Sequence, residues 1–386
     1  MRFEFATASR VVFGSESARE VGGLARELGS HALVVTGRSP GRVSPLLGAL
    51  ASSGIAVTTF TVTTEPDVPL VVRGRALARE AGCSFVIGIG GGSAIDAAKA
   101  IAALASNDGD PFDYLEVVGR GQPLPHPPLK SIAIPTTAGT GSEVTRNAVL
   151  GVPDRRVKVS LRHVLMLPAV ALVDPDLTLS LPPSTTAASG LDALTQLIEP
   201  YLSLRANPMT DALCVEGIRL AAAALPVAIR NSSDRQARAS MSLASLWSGM
   251  ALANAGLGAV HGFAGPIGGR FPAPHGAICA ALLPHVMTGN LRALSERASG
   301  SPAHVRFEEI GRLVTGRPAA GAADGIEWMR TTVSAFEIPP LSHYGMRTED
   351  VPDLVAQAER ASSMKSNPIA LTRDELGEML VAAIAG

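Results

Sequence analysis

Gly88-Ile89-Gly90-Gly91-Gly92-Ser93-Ala94-Ile95-Asp96-Ala97-Ala98-Lys99 follows directly on the apolar run Ser84-Phe85-Val86-Ile87. A strand that ends in glycines and restarts as a helix is typical of pyrophosphate binding. Glycine lets the backbone approach the ligand, and the free N–H groups of a helix start favour negative charge. Ser93 is placed to cap the helix. It also stands where the standard dinucleotide fingerprint has its last glycine, so a plain strand-to-helix turn remains the alternative.

Short apolar runs alternate with helical stretches through the first half of the chain. Strands are predicted at residues 32–36, 55–62, 85–89, 131–135 and 169–174. Alternation of this kind predicts an α/β domain with a Rossmann-like parallel sheet, whose ligands lie at the carboxyl ends of the strands.

The second half is periodic, rich in alanine and leucine, and almost without strand-like runs. Helices are predicted at residues 185–204, 210–225, 237–254 and 349–361. We therefore expect an α/β domain at residues 1–182 and an all-helical domain at residues 183–386, with the boundary at Pro182–Pro183.

The composition is that of an ordinary globular protein. The 386 residues are 46% hydrophobic and 17% charged, and the formal net charge is −1. Such a charge gives no reason to expect nucleic acid or an anionic membrane as a partner. The start lacks the apolar core of a signal peptide, no apolar run approaches membrane-spanning length, and the three cysteines form no CxxC pair. These features predict a cytoplasmic protein without a thiolate zinc site.

A second turn rich in hydroxyl groups follows another predicted strand. It reads Pro135-Thr136-Thr137-Ala138-Gly139-Thr140-Gly141-Ser142-Glu143-Val144-Thr145. Hydroxyls and backbone N–H groups suit phosphate, ribose or carboxamide contacts, although a helix cap would use the same residues. Two such turns at strand ends of one domain favour a dinucleotide.

Four polar residues of the helical half could form a metal site. Asp192 and Gln196 are four residues apart and share a helix face, and His261 and His275 stand in glycine-rich segments. Such a set can bind a divalent metal, although a buried histidine is more often a core residue. Sequence separation alone does not establish that they converge.

These segments together resemble the iron-containing alcohol dehydrogenase family over nearly the whole chain. The two turns are similar to its pyrophosphate and nicotinamide loops. The segments Gly190–Leu194, Gly258–Gly262 and Pro274–Gly276 are similar to its metal-bearing segments. The resemblance implies a dehydroquinate synthase-like architecture, with the active site in a cleft between an NAD(P)-binding domain and a helical domain. It also implies a homodimer or larger homo-oligomer, paired through an N-terminal hairpin that Phe3–Phe5 and Arg10–Phe13 would form.

The resemblance implies metal-binding, catalytic and cofactor-binding roles for several residues. Asp192, His261 and His275 are implied to be both catalytic residues and ligands of Fe or Zn, with Gln196 at the fourth ligand position. Gly37 stands where NAD-preferring relatives have an aspartate, so NADP is expected to be accepted at least as well as NAD, with Arg38 and Arg42 adding favourable charge. The implied cofactor-binding residues are Gly37, Gly90, Gly91, Gly92, Ser93, Asp96, Thr136, Thr137, Thr140, Ser142, Val149 and Lys158.

Two positions depart from the family pattern. Gln196 replaces a histidine ligand, and Gly265 replaces a histidine often assigned to proton transfer. The expected function is metal-assisted hydride transfer between the nicotinamide and a small alcohol, aldehyde or ketone. Two alternatives remain: a metal-free reductase of an acidic keto compound, similar to maleylacetate reductase, and a lyase similar to dehydroquinate synthase.

Overall fold

The computed structural model describes residues 2–38 and 43–386. The chain divides into two compact units. One consists of Ala6–Thr137 and Gly141–Ser180, and the other of Met1–Phe5, Ala138–Thr140 and Leu181–Gly386. Part of the second hydroxyl-rich turn, Ala138–Thr140, therefore groups with the helical unit. Arg42, whose charge is expected to favour NADP, lies outside the described residues.

The first unit is built on a parallel sheet of six strands in the order β1-β8-β5-β4-β2-β3. Two further strands, β6 and β7, form an antiparallel pair that the sequence analysis did not predict. The strands are β1 (Arg10–Phe13), β2 (His31–Thr36), β3 (Ala56–Thr61), β4 (Phe85–Gly90), β5 (Lys130–Pro135), β6 (Asn147–Val152), β7 (Val157–Arg162) and β8 (Val170–Val173). The helices of this unit are α1 (Val21–Arg26), α2 (Ser44–Ser52), α3 (Val68–Glu80) and α4 (Gly92–Ala105).

The register of the sheet brings the two predicted turns together. Thr36 pairs with Ile89, and Gly90 pairs with Pro135. Because all three strands run in the same direction, the residues that follow them meet at one edge of the sheet. Gly37, the Gly90–Gly92 turn and Thr136 therefore lie side by side.

The expected N-terminal hairpin is wrong for the isolated chain. Residues 2–8 have no regular secondary structure, whereas Arg10–Phe13 forms β1 and pairs in parallel with β8. A strand needs a neighbour for its backbone hydrogen bonds, and Phe3–Phe5 has no strand partner among the described residues.

The second unit is helical and packs around one large apolar core. Its helices are α5 (Pro183–Leu202), α6 (Pro208–Arg230), α7 (Arg235–Ala255), α8 (Ala259–Arg270), α9 (His275–Arg297), α10 (Ala303–Thr315), α11 (Ala322–Ala335), α12 (Val351–Ala358) and α13 (Arg373–Ala385). Helix α5 lies centrally, and nearly every residue from Gly190 to Leu202 is buried.

Two helices of this unit are long and apolar enough to cross a membrane by length and composition alone. They are α6 and α9, whose most apolar windows have mean hydropathies of 1.8 and 1.2; the bent pair α7 and α8 would make a third. By this criterion the expectation that no segment approaches spanning length is wrong. In this fold 78% of the α9 window and 44% of the α6 window are buried inside the protein, where both helices contribute to the core.

Candidate functional site

The glycine turn after β4 is shaped so that its backbone stays accessible. A Cβ built on Gly88 would lie 2.8 Å from the Cβ of Ala98, so this glycine is needed for helix-to-strand packing. Gly90 has a φ of +153°, which side chains rarely adopt. A Cβ on Gly91 would meet only Thr137, at 3.4 Å, among the described residues. Internal packing therefore does not require a glycine at position 91. A glycine of this kind is expected where a ligand comes close to the backbone.

Helix α4 begins at Gly92, one residue before the predicted cap. Gly91 is its N-cap residue and contributes no side-chain hydrogen bond. The expectation that Ser93 caps the helix is wrong, because Ser93 already lies inside the first turn. The first N–H groups of a helix have no intrahelical acceptor, so they remain available to a pyrophosphate.

Asp96 connects the glycine turn to the hydroxyl-rich turn. Its carboxylate accepts a hydrogen bond from the Ser142 hydroxyl and another, of 2.9 Å, from the Val149 backbone N–H. Lys99 lies 3.1 Å from the same carboxylate and donates to the Ser142 carbonyl at 2.9 Å. Thus three of the predicted cofactor residues, Asp96, Ser142 and Val149, form one internal network, which fixes the backbone of the second turn.

Glu143 and Lys99 are both buried beneath this turn. Burial raises the pKa of Glu143 to about 7, against the opposing effects of its own backbone hydrogen bond and of Lys99. Burial also lowers the pKa of Lys99, although Asp96 and Glu143 oppose it. Lys158, one of the implied cofactor-binding residues, pairs with Glu65.

Three residues of α5 present polar groups on the same face of the helix. Asp192 and Gln196 lie one turn apart, as their spacing predicted, and Glu199 lies almost one further turn along. All three are nearly completely buried. The sequence analysis missed Glu199, although its spacing of three from Gln196 and seven from Asp192 was a usable signal.

The two histidines converge on Asp192. The Nε2 atoms of His261, from α8, and His275, from α9, lie 3.4 Å and 3.7 Å from Asp192 Oδ1. The side chain of His261 is 6% exposed, whereas that of His275 is 37% exposed. The structure therefore brings together the carboxylate and the two imidazoles that sequence separation could not place.

Glu199 fixes the orientation of His261. Its Oε2 lies 2.6 Å from His261 Nδ1, and its Oε1 accepts a 2.7 Å hydrogen bond from the Val260 N–H at the start of α8. A carboxylate at Nδ1 holds a proton there, so Nε2, which faces Asp192, is the nitrogen that can bind a metal once its own proton is displaced. This carboxylate–histidine pairing is the usual support of a metal-ligating imidazole.

We expect Glu199→Gln to lower metal affinity by about 10–100-fold, the range for such supporting partners. The amide can still accept from Val260, but its NH₂ would then face His261 Nδ1. This would move the imidazole proton to Nε2, where a metal ligand must have none. Equilibrium titration of the metal-depleted variant with Zn²⁺ measures the effect. Glu199→Asp, which keeps the charge on a shorter side chain, should lose less; equal affinity of wild type and Glu199→Gln would contradict the assignment.

Asp192 shows that the cluster fits a cation. Its Oδ1 is buried and makes no hydrogen bond within the described chain. Its Oδ2 accepts a 3.1 Å hydrogen bond from the Gln196 amide, so the orphan oxygen is the one that faces the histidines. A buried carboxylate oxygen that accepts no hydrogen bond calls for an explanation, and a bound ion is a common one.

The charges of the cluster are strongly coupled in the absence of a cation. Burial opposes ionisation of Asp192, but His275 and His261 outweigh it and lower the pKa of this carboxyl. Burial would lower the pKa of His275, but Cys279 and Asp192 outweigh it and raise the pKa to about 9. Metal binding at neutral pH must therefore displace protons from the imidazoles.

Gly265 lies on α8 one turn after His261. A Cβ atom built on Gly265 would have no heavy atom of the described residues within 4 Å. Hence the replacement of the family's proton-transfer histidine by Gly265 leaves open space around this Cβ position in the part of the chain that the structure describes.

A glycine turn at the carboxyl edge of a parallel sheet is typical of dinucleotide-binding units, and a buried carboxylate–imidazole cluster is consistent with a metal site; proteins with both features include metal-assisted oxidoreductases. The family model "Iron-containing alcohol dehydrogenase" matches residues 8–175, and "Fe-containing alcohol dehydrogenase family, C-terminal" matches residues 186–384. The chain belongs to the iron-containing alcohol dehydrogenase family and is an oxidoreductase that acts on CH–OH groups. This family implies NAD(H) and a divalent metal.

Individual relatives agree with this assignment. The 1,3-propanediol dehydrogenase of Klebsiella pneumoniae is 36% identical over 95% of both chains. Long-chain-alcohol dehydrogenase 1 of Geobacillus thermodenitrificans is 44% identical over 67% of this chain and 65% of its own length. The solved structure of a 1,3-propanediol oxidoreductase superposes with a TM-score of 0.90 at 34% identity, covering 99% of this chain and 100% of that one.

Proposed function

We propose that this enzyme uses a divalent metal at Asp192, His261 and His275 to interconvert a small alcohol and its aldehyde or ketone, with NAD(P) as the hydride carrier. The observation that carries the proposal is the buried Asp192 Oδ1, which accepts no hydrogen bond and faces two imidazole Nε2 atoms. A divalent ion bound there would act as a Lewis acid on an alcohol or carbonyl oxygen.

The chain's own residues prepare this chemistry in stated ways. Glu199 keeps the His261 proton on Nδ1, away from the metal-facing nitrogen. Gly91 leaves room for a pyrophosphate at the start of α4, and Asp96 holds the second turn in place. Because Gly265 carries no side chain to relay a proton, solvent or a cofactor ribose hydroxyl must do so.

Nicotinamide absorbance measured against a panel of straight-chain alcohols, diols and aldehydes tests the activity directly. The names of relatives that act on 1,3-propanediol and long-chain alcohols supply the first members of the panel. The decisive comparison is between the metal-depleted and the Zn²⁺- or Fe²⁺-restored enzyme. Full activity after complete metal removal would favour the metal-free reductase, and turnover without net cofactor consumption would favour the lyase.

We also propose that NADP(H) is accepted at least as well as NAD(H). Gly37 follows β2 at the edge of the sheet beside Gly90, where NAD-specific proteins commonly place a carboxylate on the ribose 2′-hydroxyl. No heavy atom of the described chain lies within 4 Å of a Cβ built on Gly37, so an aspartate fits without repacking.

Gly37→Asp should shift the ratio of kcat/KM for NADPH to that for NADH toward NADH by at least about tenfold, because a carboxylate repels the 2′-phosphate. Initial rates with both cofactors measure this ratio. Gly37→Asn is the matched control, since it adds similar volume without charge and should change the ratio much less. An unchanged ratio in the aspartate variant would mean that Gly37 is only a turn residue.

We further propose a cytoplasmic homodimer or larger homo-oligomer. β1 is an edge strand, paired only with β8 among the described strands, and Phe13 at its end is 37% exposed. An open edge of this kind offers backbone groups to a second chain. Light scattering coupled to size exclusion measures the mass; a monomer at micromolar concentration would contradict the proposal.

A further inference from the structure

Cys279 places a sulfur atom against both histidines. It lies on α9 one turn after His275 and is completely buried. Its Sγ is 3.6 Å from His275 Nε2 and 3.7 Å from His261 Nε2. One ligand atom from each of Asp192, His261, His275 and Cys279 lies within 4.8 Å of every other.

The separations are those of a four-ligand set around one ion. Typical zinc bond lengths and a tetrahedral angle give about 3.4 Å between nitrogen and oxygen ligands and about 3.6 Å between nitrogen and sulfur. The observed nitrogen–oxygen separations are 3.4 Å and 3.7 Å, and the nitrogen–sulfur separations are 3.6 Å and 3.7 Å. Cys279 therefore stands at the distance of a ligand.

Gln196, the residue at the family's fourth ligand position, is engaged elsewhere. Its amide nitrogen donates to Asp192 Oδ2, the oxygen that faces away from the orphan site. Its amide oxygen accepts a 3.0 Å hydrogen bond from the Ser248 hydroxyl. The amide oxygen is thus anchored by Ser248, and the amide nitrogen holds the Asp192 carboxylate in position.

We propose that Cys279 supplies the fourth metal ligand as a thiolate, and that Gln196 is a positioning residue for Asp192. The proposal rests on the metal-assisted function proposed above. A thiolate is a softer ligand than the imidazole it would replace, so the site is expected to favour Zn²⁺ or Co²⁺ over Fe²⁺. With four protein ligands, the substrate oxygen would bind the ion as a fifth ligand, an expansion that catalytic zinc sites can undergo. Metal retention and ligand spectra report on Cys279 independently of the activity of the loaded enzyme.

The test is a Co²⁺ titration of the metal-depleted enzyme, followed by absorbance. Thiolate ligation gives an intense near-ultraviolet charge-transfer band that carboxylate and imidazole ligands do not give. We expect this band in wild type and in Cys214→Ala, a matched control that removes another fully buried cysteine of the same unit. It should be absent in Cys279→Ala and Cys279→Ser.

Affinities separate the two roles. Loss of a direct ligand should weaken Zn²⁺ binding by at least about 100-fold in Cys279→Ala. Loss of a positioning residue should weaken it by about tenfold in Gln196→Ala, near the lower end of the range for supporting partners. Circular dichroism and thermal unfolding of the metal-depleted variants confirm that each one folds.

The possible failures are distinguishable. If wild type binds Co²⁺ without the thiolate band, and Asp192→Ala does not bind it, the ligand role of Cys279 is overturned while the metal site stands. The ligand role of Cys279 is also overturned if the thiolate charge-transfer band persists in both Cys279→Ala and Cys279→Ser. If wild type retains neither Zn²⁺ nor Co²⁺ by elemental analysis, the inference fails together with the metal-assisted function.

Discussion

Asp192→Ala is expected to lose bound metal and to lower dehydrogenase activity on the order of 10³-fold. The substitution removes the only oxygen in the described cluster that faces both imidazole nitrogens, and with it the negative charge that a divalent ion needs in a buried site. Lewis-acid stabilisation is worth several kcal/mol, and each 1.36 kcal/mol is a factor of about ten in rate. Elemental analysis and initial rates measure the two losses together.

Metal-depleted wild type is the matched control for this experiment. Both proteins lack the ion, so they should show the same residual rate, and Zn²⁺ should restore only the wild type. A variant that contains no metal but retains wild-type activity would refute the metal mechanism, while leaving the fold and the family assignment intact.

Gly91→Val is expected to weaken cofactor binding by about 100-fold with little change in helix content. The Cβ of the new side chain would meet only Thr137 within the described protein, so we expect its main obstacle to be the pyrophosphate that approaches the start of α4. Overpacking of a close contact costs roughly 1–3 kcal/mol, which corresponds to a factor of about 5 to 160. Fluorescence titration with NADH and NADPH gives the dissociation constants.

Two other glycines of the same unit provide controls. Gly23→Val lies on the exposed face of α1, where the Cβ has open space, and should leave binding unchanged. Gly88→Val would drive a side chain into Ala98 and the backbone of Ile95, so it should destabilise the fold itself. Unchanged cofactor affinity in a folded Gly91→Val protein would remove this turn from the binding site.

The sequence predicted the central strands β2, β4, β5 and β8 well because they are buried on both faces and mostly apolar. The β6–β7 pair was missed although Val157–Arg162 alternates apolar and polar residues; its partner Asn147–Val152 does not alternate and contains a glycine, so the two segments give no common pattern. The Phe3–Phe5 strand was predicted from the same alternation, but pairing depends on a neighbour that a local pattern cannot supply.

The metal cluster shows a similar limit. Helical spacing alone put Asp192 and Gln196 on one face, and the family resemblance added His261 and His275. Cys279 and Glu199 were overlooked, since an isolated cysteine or glutamate in a periodic helix usually has an ordinary structural role. Only the packing of α5 against α9, and the hydrogen bonds from Glu199 to the start of α8, give these two residues their significance.

The edge position of β1 has a consequence for biosynthesis. β1 is the first strand of this sheet to leave the ribosome, yet its sheet partner β8 ends at Val173, near the far end of the unit's sequence. Closing such a long loop is entropically costly and slow, and β5 must be in place for β8 to join the sheet. The first strand to be synthesised is therefore expected to be among the last to acquire protection from hydrogen exchange, and until then the nascent sheet exposes the edge that β1 later covers.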